Sequence, residues 1–501
     1  MNISLAVSSK KPAWPGALVH LRADAGHKTG LGHVSRMAAL SEILERDGFE
    51  CVWVAVAPQM DVLGRFKQSF SCVLKLSDQD IRHWKTHLTQ SVIAVLDGYQ
   101  FDKTFENEVR DSAGRLVIVD DLADRVREAD LIINQAGGLD ATHYPAAPGA
   151  RLCLGPGFAL LRPDFLKPRI VREASAVGSR PYKVLLSMGG ADPSDFTGKL
   201  ISEITTSPHV GTIHVVLGTL YSHESKLRLE AASQKIVFHR DLSASQLRDL
   251  MAECELAVLP ASTMSMEYAS VGGGLFLKQT AENQSGFFRF FTSEGLAKPV
   301  EEWGHFQNNG QIANFIADCD RNQSIHFDGR SGQRLLGEFR SLYWSRALRL
   351  RPVEKDDSRL LFDWANDPET RQNAFQSSQI PWVDHEHWFQ SNLGSNKTRI
   401  FIALIENTPI GQIRFDLREN KGWEIDFSIS SPWRGRGLGS QVLKLGAEVM
   451  TQITRAQRLF GVVKSNNQAS SKAFLSAGFE SSDLISGTGT VAFHFPRTPK
   501  K

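Results

Sequence analysis

Residues 17–44 read ALVHLRADAGHKTGLGHVSRMAALSEIL, and this stretch decides the fold of the first part of the chain. The apolar run at residues 18–21 is typical of a buried strand, and the apolar spacing after residue 36 is helical. The turn between them carries glycine, so its backbone can approach a ligand closely, and the helix N-terminus behind it favours a phosphate. His33 directly follows this turn, where an imidazole can reach a bound ligand and titrate near neutral pH.

Short apolar runs alternate with helical stretches over the first two thirds of the chain. The runs are residues 18–21, 51–56, 92–96, 116–119, 131–133 and 152–154, and then 183–190, 213–217, 236–238, 256–259 and 275–277. Continuous apolar strands between helices predict parallel sheets that are covered on both faces. Because the polar stretch 167–180 separates the two series, we predict two doubly wound Rossmann-type halves, residues 1–166 and 167–345, with a crevice between them.

Residues 346–501 differ in their pattern. A helix is expected at residues 358–366, followed by alternating strands at residues 400–405, 410–417 and 423–429. Alternation with hairpin-like spacing predicts an antiparallel or mixed sheet. The predicted fold class is therefore α/β in the first two parts and α+β in the third.

Length and composition limit the possible functions. A chain of 501 residues is too long for one core and suggests about three domains. The net charge of +2 gives no overall field that favours nucleic acid or a membrane surface. No apolar run approaches the ~20 residues of a membrane span, and the N-terminus lacks the apolar core of a signal peptide. The five cysteines are widely spaced, which favours buried thiols over a disulfide or a metal site. We expect a cytoplasmic protein with no metal, nucleic-acid or membrane partner; composition leaves the oligomeric state open.

Polar side chains follow several of the predicted strands, where ligands bind in open parallel sheets. The candidates with an expected contact to ligand are Asp97, Tyr99, Gly189, Gly190, Glu267 and Asn283. Taken singly, a glycine pair after a strand is most often only a turn, and a lone histidine is more often structural than catalytic. Their order along the chain, however, matches a known family.

The spacing of Arg22, Asp24, Gly32, His33 and Arg36 resembles that of the UDP-2,4-diacetamido-2,4,6-trideoxy-β-L-altropyranose hydrolases of pseudaminic acid biosynthesis. The likeness runs over about residues 17–300 and includes the motifs around positions 97–99, 120–121, 129–134, 159–162, 187–192 and 283–284. It implies a GT-B-like fold related to nucleotide-sugar glycosyltransferases, with the substrate in the inter-domain cleft. Gly98 is a departure, since the family often has a histidine there.

The resemblance implies roles for these residues. His33 is the general base that activates water at the anomeric carbon, while Asp97 and Tyr99 position water or sugar hydroxyls. The remaining residues are substrate contacts: Gly189 and Gly190 at the diphosphate, Glu267 at the ribose, and Asn283 at an acetamido group or phosphate. Arg22, Asp24, Gly32, Arg36 and Arg162 are substrate contacts with no part of the substrate assigned to them.

The sequence WRGRGLGS at residues 433–440 lies between a predicted strand and a helix at residues 441–450. Its backbone N–H groups at a helix N-terminus suit a pyrophosphate. With the downstream asparagine and an Ala-Gly-Phe motif, it resembles the acetyl-CoA loop of the GCN5-related N-acetyltransferases, abbreviated GNAT. The resemblance implies acetyl-CoA as cosubstrate, bound by Arg434, Gly435, Arg436, Gly437, Leu438, Gly439 and Asn467.

Amine acetylation needs a base that removes the proton of the acceptor. Glu424 is the first candidate, on one strand face with Asp426 and Ser428, and a solvated ion pair is its alternative role. Phe474 stands where the family often has a tyrosine that protonates the thiolate, so no acid is assigned. Residues 364–368 and 385–389 resemble the sugar-nucleotide acetyltransferase of the same pathway and also the ribosomal-protein acetyltransferases.

These patterns together predict a bifunctional enzyme of pseudaminic (nonulosonic) acid biosynthesis, a pathway that supplies flagellin and surface glycans. It N-acetylates a UDP-4-amino sugar with acetyl-CoA and hydrolyses the product to free sugar and UDP. Two alternatives stay open. One is a UDP-sugar glycosyltransferase fused to an acetyltransferase, and the other is a non-catalytic sugar-nucleotide-binding scaffold attached to an acetyltransferase.

Overall fold

The computed structural model describes residues 17–495 except 26–30, 59, 78–80, 90–91, 171–180, 191, 219–220, 224–234, 307, 420, 455–457 and 486–488. The chain divides into two compact units, Met1–Leu336 (unit 1) and Gly337–Lys501 (unit 2). Within the described residues, no helix is long and apolar enough to cross a membrane.

The first sheet of unit 1 is parallel. Its strands are β1 (Leu18–Ala23), β2 (Glu50–Val56), β3 (Cys72–Leu76), β4 (Val92–Asp97), β5 (Arg115–Val119), β6 (Leu131–Asn134) and β7 (Arg151–Leu154). Its helices are α1 (Gly32–Glu45), α2 (Met60–Phe66), α3 (Ile81–Lys85) and α4 (Lys103–Ser112). The strand order is β3-β2-β1-β4-β5-β6-β7, with every neighbouring pair parallel. The order reverses between β1 and β4, so a ligand crevice is expected beyond the carboxyl ends of these two strands.

The second sheet of unit 1 repeats this topology. Its strands are β8 (Tyr182–Leu186), β9 (Val210–Leu217), β10 (Ile236–Arg240), β11 (Leu256–Pro260), β12 (Gly274–Lys278) and β13 (Lys298–Pro299), in the parallel order β10-β9-β8-β11-β12-β13. Its helices are α5 (Phe196–Thr205), α6 (Ala244–Glu253), α7 (Thr263–Val271), α8 (Ser285–Ser293) and α9 (Asn309–His326), and α10 (Ser331–Ala347) follows. The parallel sheets that periodicity predicts are therefore confirmed.

The segment after β7 belongs to the core of the second sheet. Ala159, Leu161 and Phe165 are buried in one cluster with Leu259 and Tyr268. Apolar side chains of residues 159–165 cover one face of this sheet, so the chain changes sheets before residue 166, where we predict the end of the first half.

Unit 2 is built on a mixed sheet, as alternation predicts. Its strands are β14 (Leu348–Pro352), β15 (Thr398–Ile405), β16 (Thr408–Arg418), β17 (Gly422–Ile429), β18 (Leu459–Lys464), β19 (Glu480–Ile485) and β20 (Thr490–His494). Its helices are α11 (Ser358–Ala365), α12 (Pro368–Asn373), α13 (Trp382–Asn392), α14 (Leu438–Thr454) and α15 (Gln468–Ser476). The order is β14-β15-β16-β17-β18-β20-β19, and β17 and β18 form its parallel pair.

The ladder between β17 and β18 is short. It joins only three residue pairs, from Trp423↔Leu459 to Ile425↔Gly461, although β17 continues to Ile429. The helices α11 and α13 pack on one sheet face through a cluster of Leu361, Phe389, Ile400 and Ile402, and α14 packs on the other. Beyond Ile425 and Gly461, β17 and β18 are no longer paired, and we call the gap between their ends the wedge.

Candidate active sites

His33 in unit 1 is held by a carboxylate. It is the second residue of α1, and its Nδ1 lies 2.7 Å from Oδ1 of Asp97, the last residue of β4. A carboxylate only accepts hydrogen bonds, so we assign the ring proton to Nδ1. This tautomer leaves Nε2 as the basic nitrogen, which is the arrangement of a general base oriented by an aspartate.

Asp97 is fully buried, and its charge is compensated by Arg36. Arg36 donates from Nε to Oδ2 of Asp97 at 2.6 Å and from both Nη atoms to Asp121 at 2.8 Å. Burial opposes the ionisation of Asp97, but Arg36 and His33 outweigh it and hold the pKa of Asp97 at about 2. The carboxylate is therefore ionised at neutral pH.

These contacts differ from the predicted roles of two residues. Asp97 is expected to position water or sugar hydroxyls, yet its oxygens are occupied by Arg36 and His33. Arg36, a predicted substrate contact, is itself buried between Asp97 and Asp121. Asp97 and Arg36 therefore hold the ring of His33 in place through these contacts. Asp121 completes the group; it lies two residues after the end of β5, and positions 120–121 belong to the motifs of the resemblance.

Tyr99 and Asn283 bring the ends of the two sheets together. The ring of Tyr99 is edge-on to His33 with centroids 5.0 Å apart, and its hydroxyl donates to Oδ2 of Asp121 at 3.1 Å. Nδ2 of Asn283 donates to the same hydroxyl at 2.7 Å. With Leu122 and neighbouring Glu282, the pair lines an open cavity of about 560 Å³, a size typical of small-ligand sites.

Tyr99 stays neutral across the usual pH range. Its side chain is 51% exposed, but burial of the hydroxyl and then Asp121 raise its pKa to about 12. A neutral hydroxyl between a carboxylate and an amide can exchange either partner for a sugar hydroxyl. The structure thus places Tyr99 next to both His33 and Asn283.

Arg22 and Asp24, both predicted substrate contacts, pair with each other. Arg22 is 1% exposed and reaches both carboxylate oxygens of Asp24, at 2.5 and 2.9 Å. Asp24 also accepts from the backbone N–H of Val56 and from Nε2 of Gln100, each at 3.0 Å. The side chain of Gln100 fills the space beside Gly98, where a Cβ would lie 2.3 Å from its Oε1.

Arg162 and Glu267 form a second internal pair. The guanidinium of Arg162 donates to both oxygens of Glu267 at 2.7 and 2.8 Å, and Glu267 is 5% exposed. Burial opposes the charge of Arg162, but Glu267 outweighs it and raises its pKa. Glu267 is the predicted ribose contact, and the structure instead directs its carboxylate to Arg162.

The predicted phosphate-facing turns lie near one another. Gly189 follows β8 with φ of 83°, and a Cβ on Gly190 would be 4.0 Å from Leu31, the residue before α1. Around a Cβ position on Gly32, no atom lies within 4 Å. Gly30 of the predicted turn lies outside the described residues.

The glycine loop of unit 2 precedes α14. Gly435 and Gly437 have φ of 72° and 80°, a backbone region that glycine favours, and α14 begins at Leu438. At Gly439 a Cβ would lie 3.1 Å from the ring of Phe427. The guanidinium of Arg436 lies 5.6 Å from the ring centre of Trp433.

Two predicted cofactor contacts have other partners. Arg434 donates to Asp367 at 2.6 Å, to Glu369 at 2.9 Å and to the backbone oxygen of Ile429 at 2.9 Å. Asn467 is the N-cap of α15, accepting from the N–H of Ser470 at 3.0 Å. Neither side chain is therefore directed by these contacts toward a diphosphate.

Glu424 and Asp426 lie on the sheet face that packs against α11 and α13, which we call the acceptor face. Oε2 of Glu424 accepts from Nε of Arg418 at 2.5 Å. On the next strand, Arg414 contacts Asp426 at 3.4 Å and lies 5.2 Å from the ring centre of Trp388 in α13. The ion pair that is the alternative role of Glu424 is thus present, on a face lined with charge.

The described residues contain no group of three or more His, Cys, Asp or Glu side chains placed to hold a metal ion. The described cysteines are free thiols.

Residues 347–480 match the family model of the acetyltransferase (GNAT) domain. The second unit carries a GNAT acetyltransferase domain. The match supports the prediction that acetyl-CoA is the cosubstrate, and the left-handed glycines before α14 fit a diphosphate. In this GNAT domain Phe474 is buried against Gly461, so the position often held by a tyrosine carries no acid.

Similar proteins cover both units. The uncharacterized protein MJ1062 of Methanocaldococcus jannaschii is 21% identical over 481 residues, 91% of this chain and 95% of its own. The spore coat polysaccharide biosynthesis protein SpsG of Bacillus subtilis is 19% identical over 285 residues, 56% of this chain and 82% of its own. The spermidine N-acetyltransferase of Vibrio cholerae, solved with CoA and spermine, is 16% identical with a TM-score of 0.27, covering 30% of this chain and 93% of its own.

Proposed function

We propose that the chain is a bifunctional nucleotide-sugar enzyme. Unit 1 hydrolyses UDP-2,4-diacetamido-2,4,6-trideoxy-β-L-altropyranose to free sugar and UDP, and the GNAT domain N-acetylates its UDP-4-amino precursor with acetyl-CoA. The observation that carries the hydrolase is the 2.7 Å contact between Nδ1 of His33 and Asp97, which leaves Nε2 as a base. The similarity to a polysaccharide biosynthesis protein supports a sugar-related role for unit 1.

The proposed hydrolysis is a single displacement. Nε2 of His33 takes a proton from water while the water oxygen bonds to the anomeric carbon. The anomeric C–O bond breaks, and its electron pair leaves with UDP, which needs little acid assistance. Asp97 stabilises the imidazolium that forms. Tyr99 and Asn283, at the cavity, bind sugar hydroxyl or acetamido groups.

The diphosphate of the substrate is assigned to the turns at Gly32, Gly189 and Gly190. Backbone N–H groups at these turns can approach phosphate oxygens without a side chain in the way, and the N-terminus of α1 adds a partial positive charge. Buried Arg22 and Arg162 are paired with carboxylates, so their role in this proposal is to keep the loops in place.

The acetyl transfer is assigned to the acceptor face. Glu424 removes a proton from the ammonium of the acceptor, and the free amine attacks the thioester carbon of acetyl-CoA. The tetrahedral intermediate then expels the CoA thiolate, and its nitrogen loses a second proton to solvent. Because no acid is assigned, water protonates the thiolate, so the products are the amide and CoA thiol. Arg418 orients the Glu424 carboxylate in this proposal.

The hydrolase is tested with the UDP sugar alone in ¹⁸O-labelled water. Release of UDP with the label in the free sugar supports attack at the anomeric carbon. A label in UDP contradicts that bond cleavage, and UDP release only with an added acceptor favours the glycosyltransferase. Absence of turnover despite tight binding favours the scaffold.

The base is tested with His33→Ala. We expect UDP release to fall at least 100-fold with UDP binding unchanged, and added imidazole to restore part of the rate. His143→Ala is the matched control, since His143 is an exposed histidine of unit 1 in the segment between β6 and β7. Undiminished UDP release by His33→Ala contradicts the assignment.

The acetyl transfer is tested by mass spectrometry of products formed from a panel of UDP-4-amino sugars with acetyl-CoA. A mass gain of one acetyl group on the sugar supports the proposal. If aminoglycosides or polyamines are acetylated and every UDP sugar is refused, the proposed acceptor is wrong although the acetyltransferase stands.

A further inference from the structure

The short helix α12 is tied to the sheet at both ends. At its start, Arg434 of the glycine loop donates to Asp367, Glu369 and, at 3.0 Å, to the hydroxyl of Thr370. At its end, Nζ of Lys464 donates to the backbone oxygen of Gln372 at 3.2 Å. The two anchors come from the loop after β17 and from the last residue of β18.

These anchors lie where the two parallel strands have parted. The ladder of β17 and β18 ends at Ile425↔Gly461, so α12 connects two strand ends that no longer pair with each other. In sequence α12 also joins α11 to α13, the helices that pack on the acceptor face. The helix α12 is therefore connected both to the separated ends of β17 and β18 and to the helices of the acceptor face.

Arg434 is poorly suited to bind a diphosphate. Its guanidinium carries one positive charge and contacts two carboxylates, and Nε is used by the backbone oxygen of Ile429. Burial opposes the ionisation of Asp367, but hydrogen bonds from Arg434 and the N–H of Thr370 outweigh it and lower its pKa. A diphosphate next to this group meets a net negative charge, which repels it.

We propose that Asp367 and Glu369 are positioning residues that hold Arg434 as a clamp between the glycine loop and α12. In this arrangement Arg434 places α12 beside the acceptor face, while the loop N–H groups and Arg436 meet the diphosphate of acetyl-CoA. The inference rests on the proposed acetyl transfer and deepens it, because it assigns the first arginine of the loop to acceptor binding.

The decisive substitution is Asp367→Asn. Asparagine is as good an N-cap as aspartate, so the cap on Thr370 is kept and only the charge is lost. We expect the KM for a UDP-4-amino-6-deoxy sugar to rise about tenfold, as for a lost charge-assisted hydrogen bond, with the Kd of CoA within twofold of the wild type. Amide hydrogen exchange in α12 should become faster at the same time.

Arg434→Gln and Arg436→Gln form a matched pair on the loop. We expect Arg434→Gln to raise the acceptor KM with little change in the calorimetric Kd of CoA, and Arg436→Gln to raise the Kd of CoA about tenfold. Asp384→Asn, in the first turn of α13, is the control for loss of an exposed helix carboxylate. Arg434→Lys should restore part of the acceptor KM.

The inference is overturned if Arg434→Gln weakens CoA binding as much as Arg436→Gln does, or if Asp367→Asn leaves the acceptor KM and the exchange of α12 unchanged. Binding of CoA by the wild type distinguishes failure of the clamp from failure of the proposed acetyltransferase. If the full-length wild type binds no CoA, the proposed acetyltransferase fails. If the wild type binds CoA but the clamp variants behave like the wild type, the clamp is wrong and the proposed acetyltransferase stands.

Discussion

Replacing Asp97 with asparagine removes the buried charge that orients His33. Burial disfavours this charge, yet Arg36 and His33 lower the pKa of Asp97 from an ordinary 3.8 to about 2. At 1.36 kcal/mol per pH unit, that difference corresponds to about 2 kcal/mol of net stabilisation of the folded, ionised form. Asp97→Asn should therefore lower the free energy of unfolding of unit 1 by about 2 kcal/mol at pH 7.

The pH dependence of this loss has a definite sign. Because the folded-state pKa is lowered, the contribution of Asp97 is complete above pH 3.8 and is lost as the pH falls through about 2. The unfolding free energies of wild type and Asp97→Asn, measured in urea, should thus differ most at neutral pH and converge near pH 2. A difference that grows on acidification contradicts the assignment.

The effect on catalysis should exceed the effect on stability. An asparagine amide can donate to Nδ1 of His33 and so favour the tautomer in which Nε2 carries the proton. In the comparable position of a catalytic triad this change costs about 10⁴-fold in kcat, so we expect UDP release to fall 10³- to 10⁴-fold.

Two controls separate the base from a general loss of structure. UDP binding should stay unchanged, since Asp97 is fully buried and its oxygens contact Arg36 and His33. Asp102→Asn, at the N-cap of α4, replaces an aspartate of the same sheet with an equally good cap and should keep full activity. UDP release by Asp97→Asn within threefold of wild type would refute the orientation of His33 by Asp97.

Three further outcomes are expected. Because burial and a neighbouring carboxylate raise the pKa of Tyr99 to about 12, the rate of UDP release should show no inflection near pH 10. An inflection near pH 10 that is present in the wild type and absent in Tyr99→Phe would contradict the cavity geometry. Glu267→Gln should lower the free energy of unfolding by about 3 kcal/mol, because it leaves Arg162 unpaired. The calorimetric Kd of UDP should stay within twofold of the wild-type value. Tenfold weaker UDP binding would instead support the predicted contact of Glu267 with the ribose. Glu424→Gln should lower the kcat of acetyl transfer about 100-fold with CoA binding unchanged, and Glu419→Gln, an exposed glutamate beyond β16, should not.

Hydrophobic periodicity predicts the sheets well. Every apolar run that the sequence suggests in unit 1 contains or overlaps a parallel strand. The strands of unit 1 that it misses, β3 and β13, lie at sheet edges and are only partly buried. An edge strand needs no continuous apolar run, because one side of it has no neighbour to cover it.

Helix starts are less predictable where glycine is present. The helix after the glycine loop is expected from residue 441, but α14 begins at Leu438. Gly439 reads as part of the loop in sequence, whereas in the structure it lies in the first turn, where Phe427 leaves no room for a side chain. Close packing, which a single sequence does not report, decides this boundary.

The sequence places the candidate residues at strand ends, but it does not predict the partners of the charged ones. Arg162 and Glu267 are 105 residues apart, and Arg434 and Asp367 are 67 apart. No spacing rule connects such pairs in one sequence. Arg162, Glu267 and Arg434 are expected at a ligand, and each instead has a protein partner of opposite charge.

The pairing itself suggests how candidate residues should be ranked. A charge that is withdrawn from water must be compensated, so a buried charged candidate at the end of a strand already has its partner and supports the site from behind. Groups with a neutral polar atom at the surface of the cavity, such as the hydroxyl of Tyr99 and the amide of Asn283, can exchange a protein partner for substrate at small cost. By this reasoning the buried Asp97 acts through His33, whose Nε2 is the atom we expect to meet the attacking water.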